Sequence, residues 1–297
     1  MSAPRRPRVG VVIGSGGVKC AAGVGLWKVL AREGVPVDVL VGCSGGSIYT
    51  AAMALGFDVQ EAEARTHVMW RDLFGRYHRR SLLRALFPRR FGFTERVGLL
   101  DDRRVGATVA EFYGGGTFDG CRTALCVAAT DGATGEKVTF GPDAPRARIA
   151  DAVRASVSLP LLLRPVAHEG RLLVDGGLSN PLPVDVAVRE GCDVILAMGF
   201  ENVVPPVTSL GSAVGRVSTI VTNHLLRATY AFHALAHHAE VIPLIPQLDQ
   251  RIGIRDADAV PALIAAGERA AEAELDYLWR LLEAPVPTSS AVAEEPR

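Results

Sequence analysis

The chain has 297 residues, enough for one large α/β domain or two small ones. Hydrophobic residues make up 48% and charged residues 22%, a composition that excludes an intrinsically disordered chain. Basic and acidic residues balance at 32 each, so no overall field favours an acidic partner, and no nucleic-acid partner is predicted. The five cysteines contain no C-x-x-C pair. They are expected to be reduced, mostly buried thiols, and neither a metal nor another cofactor is predicted.

The amino-terminal segment is basic, and the apolar run that follows it is too short for the core of a signal peptide. A cytoplasmic protein is therefore expected. The 19 residues from Val39 to Phe57 carry no charge, which raises the question of a membrane span. Glycines and hydroxyl side chains lie in the centre of that run, where a spanning helix would be weak, so a membrane span is rejected.

Strand and helix signals alternate along most of the chain, which predicts a largely parallel sheet covered by helices. The predicted strands are 9–13, 37–41, 123–129, 136–140, 165–168, 171–174, 193–198 and 241–245. The predicted helices are 18–32, 45–55, 149–157 and 184–189, followed by two long helices with apolar stripes over 214–235 and 260–282.

Residues 58–115 interrupt this alternation, because they have helical and loop signals but no clear strand. We interpret them as a helical cap inserted between the second and third strands. Residues 284–297 are rich in Pro, Ser, Ala and Glu and are expected to be disordered. The sequence thus predicts a single catalytic domain over residues 1–283.

The second strand leads into a G-x-S-x-G pattern formed by Gly42, Cys43, Ser44, Gly45 and Gly46. This pattern is typical of a sharp strand-to-helix turn that holds a nucleophilic serine in an exposed, strained conformation. An isolated match would more simply be a Gly/Ser turn. Its position after a β-rich run and before an Ala-rich helix favours the nucleophile, because the helix directs its free N–H groups at the serine.

An earlier glycine-rich loop also joins a strand to a helix and comprises Gly14, Ser15, Gly16, Gly17, Val18 and Lys19. A nucleotide-binding loop is excluded, since neither the Walker pattern nor the dinucleotide fingerprint fits these residues. Bare backbone N–H groups on a strand adjacent to the one that bears Ser44 are what an oxyanion hole needs. The alternative is a structural tight turn.

A nucleophilic serine needs a base, and Asp175 is the favoured candidate. It follows an apolar strand and precedes Gly176 and Gly177, so its carboxylate is presented at a strand end without bulky neighbours. Partial desolvation there can raise the pKa of a carboxyl group and suit it to accept a proton. Asp131 competes, although its Asp-Gly sequence is more simply a hairpin turn.

Histidines are weaker candidates. None of the seven follows a strand within a glycine-rich turn. His233 and His237 share a helix face, but without an H-E-x-x-H pattern a packed or solvated pair is favoured over a zinc site.

Three blocks resemble the signature blocks of patatin-like acyl hydrolases, in that family's order: GSGGVK, GCSGG about 30 residues later, and DGGLSNPLPVDVA. The resemblance extends from about Val9 to Met198. It implies a three-layer α/β/α patatin-like fold with a mostly parallel central sheet, and a Ser–Asp dyad without histidine that acts on acyl esters of lipids.

Carried onto this chain, the resemblance makes Ser44 the nucleophile and Asp175 the base, with an oxyanion hole around Gly16 and Gly17. Together with the amide of Gly45 at the start of the next helix, these N–H groups are the expected oxyanion donors. The family often has glycine where Ser15 and Cys20 stand here, so position 20 must accept a side chain. Lys19 matches the family's basic position and is either a solvated lysine or a contact for a substrate phosphate.

The composition of the predicted cap bears on whether the substrate lies in a membrane. Between Arg71 and Arg104 there are ten arginines and four acidic residues, interleaved with leucines and phenylalanines. Such a surface suits an anionic bilayer. The equally weighted alternative is that the apolar residues pack on the core and the arginines face water. The predicted partners are a lipid or other acyl ester and, through the cap, the periphery of an anionic membrane.

Two other function classes remain open at this point. A Ser-His-Asp hydrolase could use a late histidine such as His224, although the early position of Ser44 fits that fold poorly. A catalytically weak lipid-binding or regulatory protein could share the fold, although it would need neither Ser44 nor Asp175.

Overall fold

The computed structural model describes residues 5–74, 98–236, 239–249, 252–253 and 256–283. Its strands are β1 (Val9–Ile13), β2 (Val39–Cys43), β3 (Ala124–Asp131), β4 (Lys137–Phe140), β5 (Val166–His168), β6 (Arg171–Asp175), β7 (Val194–Met198) and β8 (Glu240–Leu244). Its α-helices are α1 (Ala22–Glu33), α2 (Gly45–Leu55), α3 (Val59–Phe74), α4 (Asp102–Tyr113), α5 (Ile149–Ser156), α6 (Val184–Arg189), α7 (Leu210–Ala236), α8 (Val260–Glu272) and α9 (Leu275–Glu283).

The strands form one mixed sheet. β8, β7, β1, β2 and β3 are neighbours in that order and pair in parallel, as predicted. β4 and β6 pair antiparallel with β3, and β5 pairs antiparallel with β6. The carboxyl ends of the parallel strands therefore all lie at the same end of the sheet, where ligand sites of α/β folds are found.

β2 and β6 lie end to end along the same side of β3, as the pairing of the three strands next to it shows. β4 and β6 both pair with Ala129 and Thr130, so they lie on opposite edges of β3. β2 also lies opposite β4, because both pair with Val127 and Ala128. β2 and β6 therefore follow one another along the same edge, and the last pair of β2 is next to the last pair of β6.

Helices cover both faces of the sheet. Val11 and Ile13 of β1 pack into an apolar cluster that includes α1 and α2. Val12, between them, belongs to a second cluster that includes α6 and Leu226 of α7. Since successive side chains of a strand point to opposite faces, the two clusters are the two interfaces of a three-layer α/β/α fold, as predicted.

The predicted single helix over 260–282 is wrong, because the chain turns between α8 and α9. α8 packs almost backbone to backbone on α1, where a Cβ on Gly267 would lie 1.9 Å from the Ala22 carbonyl oxygen. α9 instead buries Leu278 against leucines of α1, β7 and β8. One straight helix could not make both contacts. The predicted helix 18–32 also differs, since its first turn, Gly17–Ala21, is a 3-10 helix.

The described part of the predicted cap region contains two helices, α3 and α4, and a short non-helical stretch over 98–101. Trp70 Nε1 donates to the Tyr49 hydroxyl at 2.6 Å, and the Tyr113 hydroxyl donates to the Ile48 carbonyl at 2.7 Å, so both helices are tied to α2. Seven of the ten arginines between Arg71 and Arg104, and the tail 284–297, lie outside the described residues. The assignment of 58–115 as a cap stays a prediction. No helix in the described ranges combines the length and apolar character needed to cross a bilayer.

Candidate active site

Ser44 occupies the turn between β2 and α2 with a strained backbone, φ 52° and ψ −128°. A positive φ at a residue other than glycine costs about 1–3 kcal/mol and persists only where the surroundings enforce it. Here β2 pairs with β1 up to Gly42 and with β3 up to Cys43, and α2 begins at Gly45. The strain turns the serine hydroxyl away from both elements and into a cavity.

Hydrogen bonds hold the Ser44 backbone on both sides. Its N–H donates to Ser156 Oγ at 2.8 Å, and Ser156 Oγ donates in turn to the Ala128 carbonyl of β3 at 2.6 Å. Its carbonyl accepts from the N–H of Ser47 at 3.0 Å and from Ser47 Oγ at 2.6 Å. The amide of Ser44 is therefore not an oxyanion donor, and Ser156 anchors the turn to the sheet.

Asp175 ends β6 and is buried, with 4% of its surface exposed. Its Oδ2 accepts from Ser44 Oγ at 2.6 Å, and its Oδ1 accepts from the N–H of Gly177 at 2.7 Å. Burial raises its pKa from 3.8 to about 6, although the hydrogen bonds from Ser44 and Gly177 act in the opposite direction. At neutral pH this carboxylate is ionised yet close to its pKa, as a general base requires.

The register of the sheet brings the two side chains together. Cys43 pairs with Ala128, and Asp175 pairs with Ala129, the next residue of β3. Gly176 makes this approach feasible, because a Cβ there would lie 2.4 Å from the Ala128 carbonyl oxygen. Ser44 and Asp175 are thus neighbours in space although 131 residues separate them in the chain.

The glycine-rich loop lies against the Ser44 turn. The N–H groups of Gly14 and Ser15 donate to the carbonyls of Met198 and Pro181, at 2.9 and 2.7 Å, which ties the loop to its neighbours. A Cβ on Gly45 would lie 2.6 Å from the Gly17 carbonyl oxygen, so the loop can approach this closely only because residue 45 is glycine.

The backbone N–H groups of Gly16, Gly17 and Gly45 have no acceptor within the described residues. The last two belong to the first residues of helices, whose N–H groups lack intrahelical partners. All three glycines line the same cavity as Ser44. This is the composition expected of an oxyanion hole.

The neighbouring loop residues are buried. Cys20 finds room for its side chain and donates its thiol to the Gly14 carbonyl at 3.3 Å. Lys19 is not a solvated lysine, because only 2% of its surface is exposed. Its ammonium donates to the Glu201 carbonyl and to Asn202 Oδ1, both at 3.0 Å, and burial lowers its pKa.

The competing base candidates lie elsewhere. Asp131 Oδ1 accepts from the N–H groups of Ala133 and Thr134, in the turn between β3 and β4 that its Asp-Gly sequence predicted. His224 is exposed on α7, and no histidine among the described residues lines the cavity around Ser44. The described residues contain no cluster of His, Cys, Asp and Glu able to hold a metal, and His237 lies outside them.

The cavity above the dyad has a volume of about 780 Å³. Ser44, Asp175 and the glycine-rich loop form its polar base. Its walls are mainly apolar and include Ile48, Trp70, Val105, Leu159, Leu162 and Leu163, and α7 contributes Ser218, Thr219 and Thr222. The volume and the apolar lining suit the acyl part of a lipid.

Comparison with known proteins identifies the family. The family model described as patatin-like phospholipase matches residues 11–188, more than half of the chain. The chain belongs to the patatin-like phospholipase family. The matched region contains the Ser44 turn, the glycine-rich loop and Asp175.

Similar proteins extend this patatin-like assignment. An uncharacterized NTE family protein of Mycobacterium tuberculosis is 28% identical over 90% of this chain and 46% of its own length. The lysophospholipase named NTE1 in Kluyveromyces lactis is 25% identical over 66% of this chain and 13% of its own. The chain therefore spans about half the length of the mycobacterial relatives, and much less of the yeast protein.

A solved structure supports the patatin fold. Human GIVD cytosolic phospholipase A2 superposes with a TM-score of 0.54 and 13% identity, covering 93% of this chain and 60% of that one. At this identity the likeness concerns the fold alone.

Sequence analysis of this patatin-like chain did not single out Ser156. It lies within the Val9–Met198 range of the family resemblance, but no pattern indicated that its hydroxyl receives the N–H of Ser44. The wall formed by α7 was also not foreseen, because periodicity defines the stripe of a helix but not its partner.

Proposed function

We propose that this protein is a serine acyl hydrolase that cleaves carboxylic esters of lipids, as a phospholipase A or lysophospholipase does. The observation that carries this proposal is the 2.6 Å hydrogen bond between Ser44 Oγ and Asp175 Oδ2 at the base of an apolar cavity. Family membership supports the same class of reaction.

In the proposed first step, Ser44 Oγ attacks the ester carbonyl carbon while its proton passes to Asp175 Oδ2. The N–H groups of Gly16, Gly17 and Gly45 stabilise the negative charge that develops on the carbonyl oxygen; one such donor is typically worth about 10²–10³ in turnover. The proton then moves to the departing alcohol oxygen as the ester C–O bond breaks, which leaves an acyl-serine.

In the second step, Asp175 takes a proton from water, whose oxygen attacks the acyl-serine. The proton returns to Ser44 Oγ as the acyl–oxygen bond breaks and the carboxylic acid is released. Gly177 supports both steps, because its N–H holds Asp175 Oδ1 and leaves Oδ2 facing the serine.

The cavity supports a lipid as the source of the ester. Its mainly apolar walls can bury an acyl chain, and burial contributes roughly 0.8 kcal/mol per CH₂. We expect catalytic efficiency to rise with acyl chain length until the cavity is filled.

Hydrolysis of a series of esters graded in chain length tests the proposal. Wild type is expected to hydrolyse them, Ser44→Ala to lose the activity, and Ser218→Ala, which removes another hydroxyl from the same cavity, to stay within severalfold of wild type. If folded wild type binds these esters without hydrolysing them, the alternative of a catalytically weak lipid-binding protein replaces the proposal. Retained hydrolysis by Ser44→Ala would contradict it.

A further inference from the structure

The outward face of α7 is an exposed apolar stripe. Val217, Val221, Phe232 and Leu235 are 63%, 50%, 62% and 78% exposed. Their spacing by four, eleven and three residues places them on one side of the helix, because eleven residues complete about three turns. Together with Val214, which is 48% exposed, they are called here the α7 stripe.

The opposite side of α7 already serves the fold. Leu226 is buried in the cluster beneath the sheet, and the Tyr230 hydroxyl donates to the Ala197 carbonyl at 3.1 Å. Asn223 exchanges hydrogen bonds with the backbone of Asn202, at 3.0 and 2.8 Å. The α7 stripe is therefore additional apolar surface that the described residues leave exposed, and contiguous surface of this kind marks an interaction site.

The charges of α7 indicate what covers the stripe. The helix has 27 residues and no Asp or Glu, although the chain has 32 acidic residues. Arg216 donates to the neutral carbonyl of Pro205, so its charge is not offset there. The nearby acidic Glu201 is paired with Arg227 at 2.7 Å. A helix that has an exposed apolar stripe and carries basic but no acidic residues suits an anionic lipid surface.

The α7 stripe is continuous with the entrance to the catalytic cavity. A groove of about 480 Å³ is lined by Leu178 and by residues of α7, including Val214, Val217 and Val221. Leu178, Ser218 and Thr222 line both this groove and the cavity that contains Ser44. An acyl chain leaving a lipid layer under the stripe would thus meet apolar surface up to the dyad.

We propose that the α7 stripe docks on an anionic phospholipid bilayer and that the groove beside it guides an acyl chain to Ser44. This proposal rests on the proposed lipid hydrolase function. It assigns membrane contact to α7, whereas the sequence suggested the Arg-rich segment 71–104.

Vesicle binding tests the proposal separately from catalysis if it is measured in the Ser44→Ala background. The probes are vesicles of phosphatidylcholine alone and of phosphatidylcholine mixed with phosphatidylglycerol. The test variant is Phe232→Glu with Leu235→Glu, two residues of the stripe that line neither the groove nor the cavity. Its control is Ala144→Glu. Ala144 is exposed and follows β4, and because β4 runs antiparallel to β3, it lies toward the amino ends of the parallel strands, opposite to the end that carries Ser44.

We expect the parent protein to bind the mixed vesicles more tightly than the neutral ones, and salt to weaken this binding. The α7 variant should bind the mixed vesicles at least about tenfold more weakly, since it removes two apolar contacts and adds two repelled charges. Ala144→Glu should stay within about twofold. Unchanged binding by the α7 variant, or equal loss in the control, would overturn the proposal.

Two further readouts separate the remaining outcomes. With Ser44 present, the α7 variant should hydrolyse a short, water-soluble ester at the wild-type rate, which shows that the site is intact. If it does not fold, Phe232→Ser with Leu235→Ser replaces it. Loss of soluble-ester hydrolysis in wild type would refute the proposed function without affecting vesicle binding. A wild-type dimer that the α7 variant dissociates without lipid would show that a second copy covers the stripe and would overturn the proposal.

Discussion

The cavity has two walls that are built on different principles. The strand-end wall, where β2 and β6 end beside β3, is buried and hydrogen-bonded, and it holds Ser44 and Asp175 against sheet backbone. The α7 wall is a surface helix with one packed side and an exposed apolar stripe. The strand-end wall has the rigidity that chemistry requires, whereas the α7 wall has the surface that a lipid substrate requires.

The largest expected effect concerns the base in the strand-end wall. Asp175→Asn keeps the shape of the side chain and can still accept from the Gly177 N–H, but it cannot take the serine proton. We expect kcat for a soluble ester to fall by about 10²–10⁴-fold. The matched control is Asp131→Asn, the other buried carboxyl at the end of β3, which should keep most of the activity.

Stability measurements sharpen the Asp175→Asn test. Since folding raises the pKa of Asp175 from 3.8 to about 6, its carboxyl favours folding most at low pH, and that contribution is lost as pH rises through about 6. The loss is on the order of 3 kcal/mol. Asp175→Asn should therefore unfold at the same or a higher temperature than wild type well above pH 6. A marked drop in melting temperature would mean that the activity loss reflects misfolding.

The two walls are expected to differ in how far the loss of one arginine lowers the free energy of unfolding. Arg154 is buried behind the strand-end wall, where it donates to Ser158 Oγ, to Asp102 and to the Arg164 carbonyl, and the Ser158 carbonyl accepts from the N–H of Asp175. Arg154→Gln should lower the free energy of unfolding by about 3–5 kcal/mol, because it leaves these groups unpaired.

The matching change in the α7 wall is Arg227→Gln, which breaks an ion pair whose side chains are 61% and 51% exposed. We expect a change below about 1 kcal/mol. Denaturant unfolding of both variants measures the difference, and equal effects would contradict the assignment of rigidity to one wall.

The pH dependence of activity is the next expected effect. In the proposed mechanism the ionised form of Asp175 is the base, so kcat/KM for a soluble ester should be constant well above pH 6 and fall about tenfold per pH unit below about 6. A profile that stays flat well below pH 6 would show that the raised pKa of Asp175 does not govern the reaction. Unfolding followed at each pH separates loss of the base from loss of the fold.

The smallest of the expected effects on activity belongs to Ser156, which contacts Ser44 only at the backbone N–H of that residue. Ser156→Ala leaves the buried N–H of Ser44 without its acceptor, a change worth about 1–3 kcal/mol. We expect kcat to fall roughly tenfold with little change in KM, because the hydroxyl positions the attacking oxygen and does not bind substrate. Ser156→Thr, which keeps a hydroxyl, should recover part of the loss. A change in KM alone would contradict the positioning role.

The sequence predicted the features that depend on neighbouring residues. The strand-to-helix turns at Ser44 and in the glycine-rich loop follow from glycines beside β-rich runs, and α6 was predicted with its observed bounds. The pairing of β2 and β6 on one edge of β3 could not be predicted, because it depends on register between segments far apart in the chain. For the same reason the partner of Ser156 and the outward direction of the α7 stripe became evident only in the structure.

The proposed role of Ser44 can be tested most directly by locating the adduct of a fluorophosphonate ester, which reacts with activated serine hydroxyls, by peptide mass spectrometry. The adduct is expected on Ser44 in wild type, to be absent from Ser44→Ala, and to form far more slowly in Asp175→Asn. An adduct on another residue, or labelling that persists in Ser44→Ala, would contradict the account.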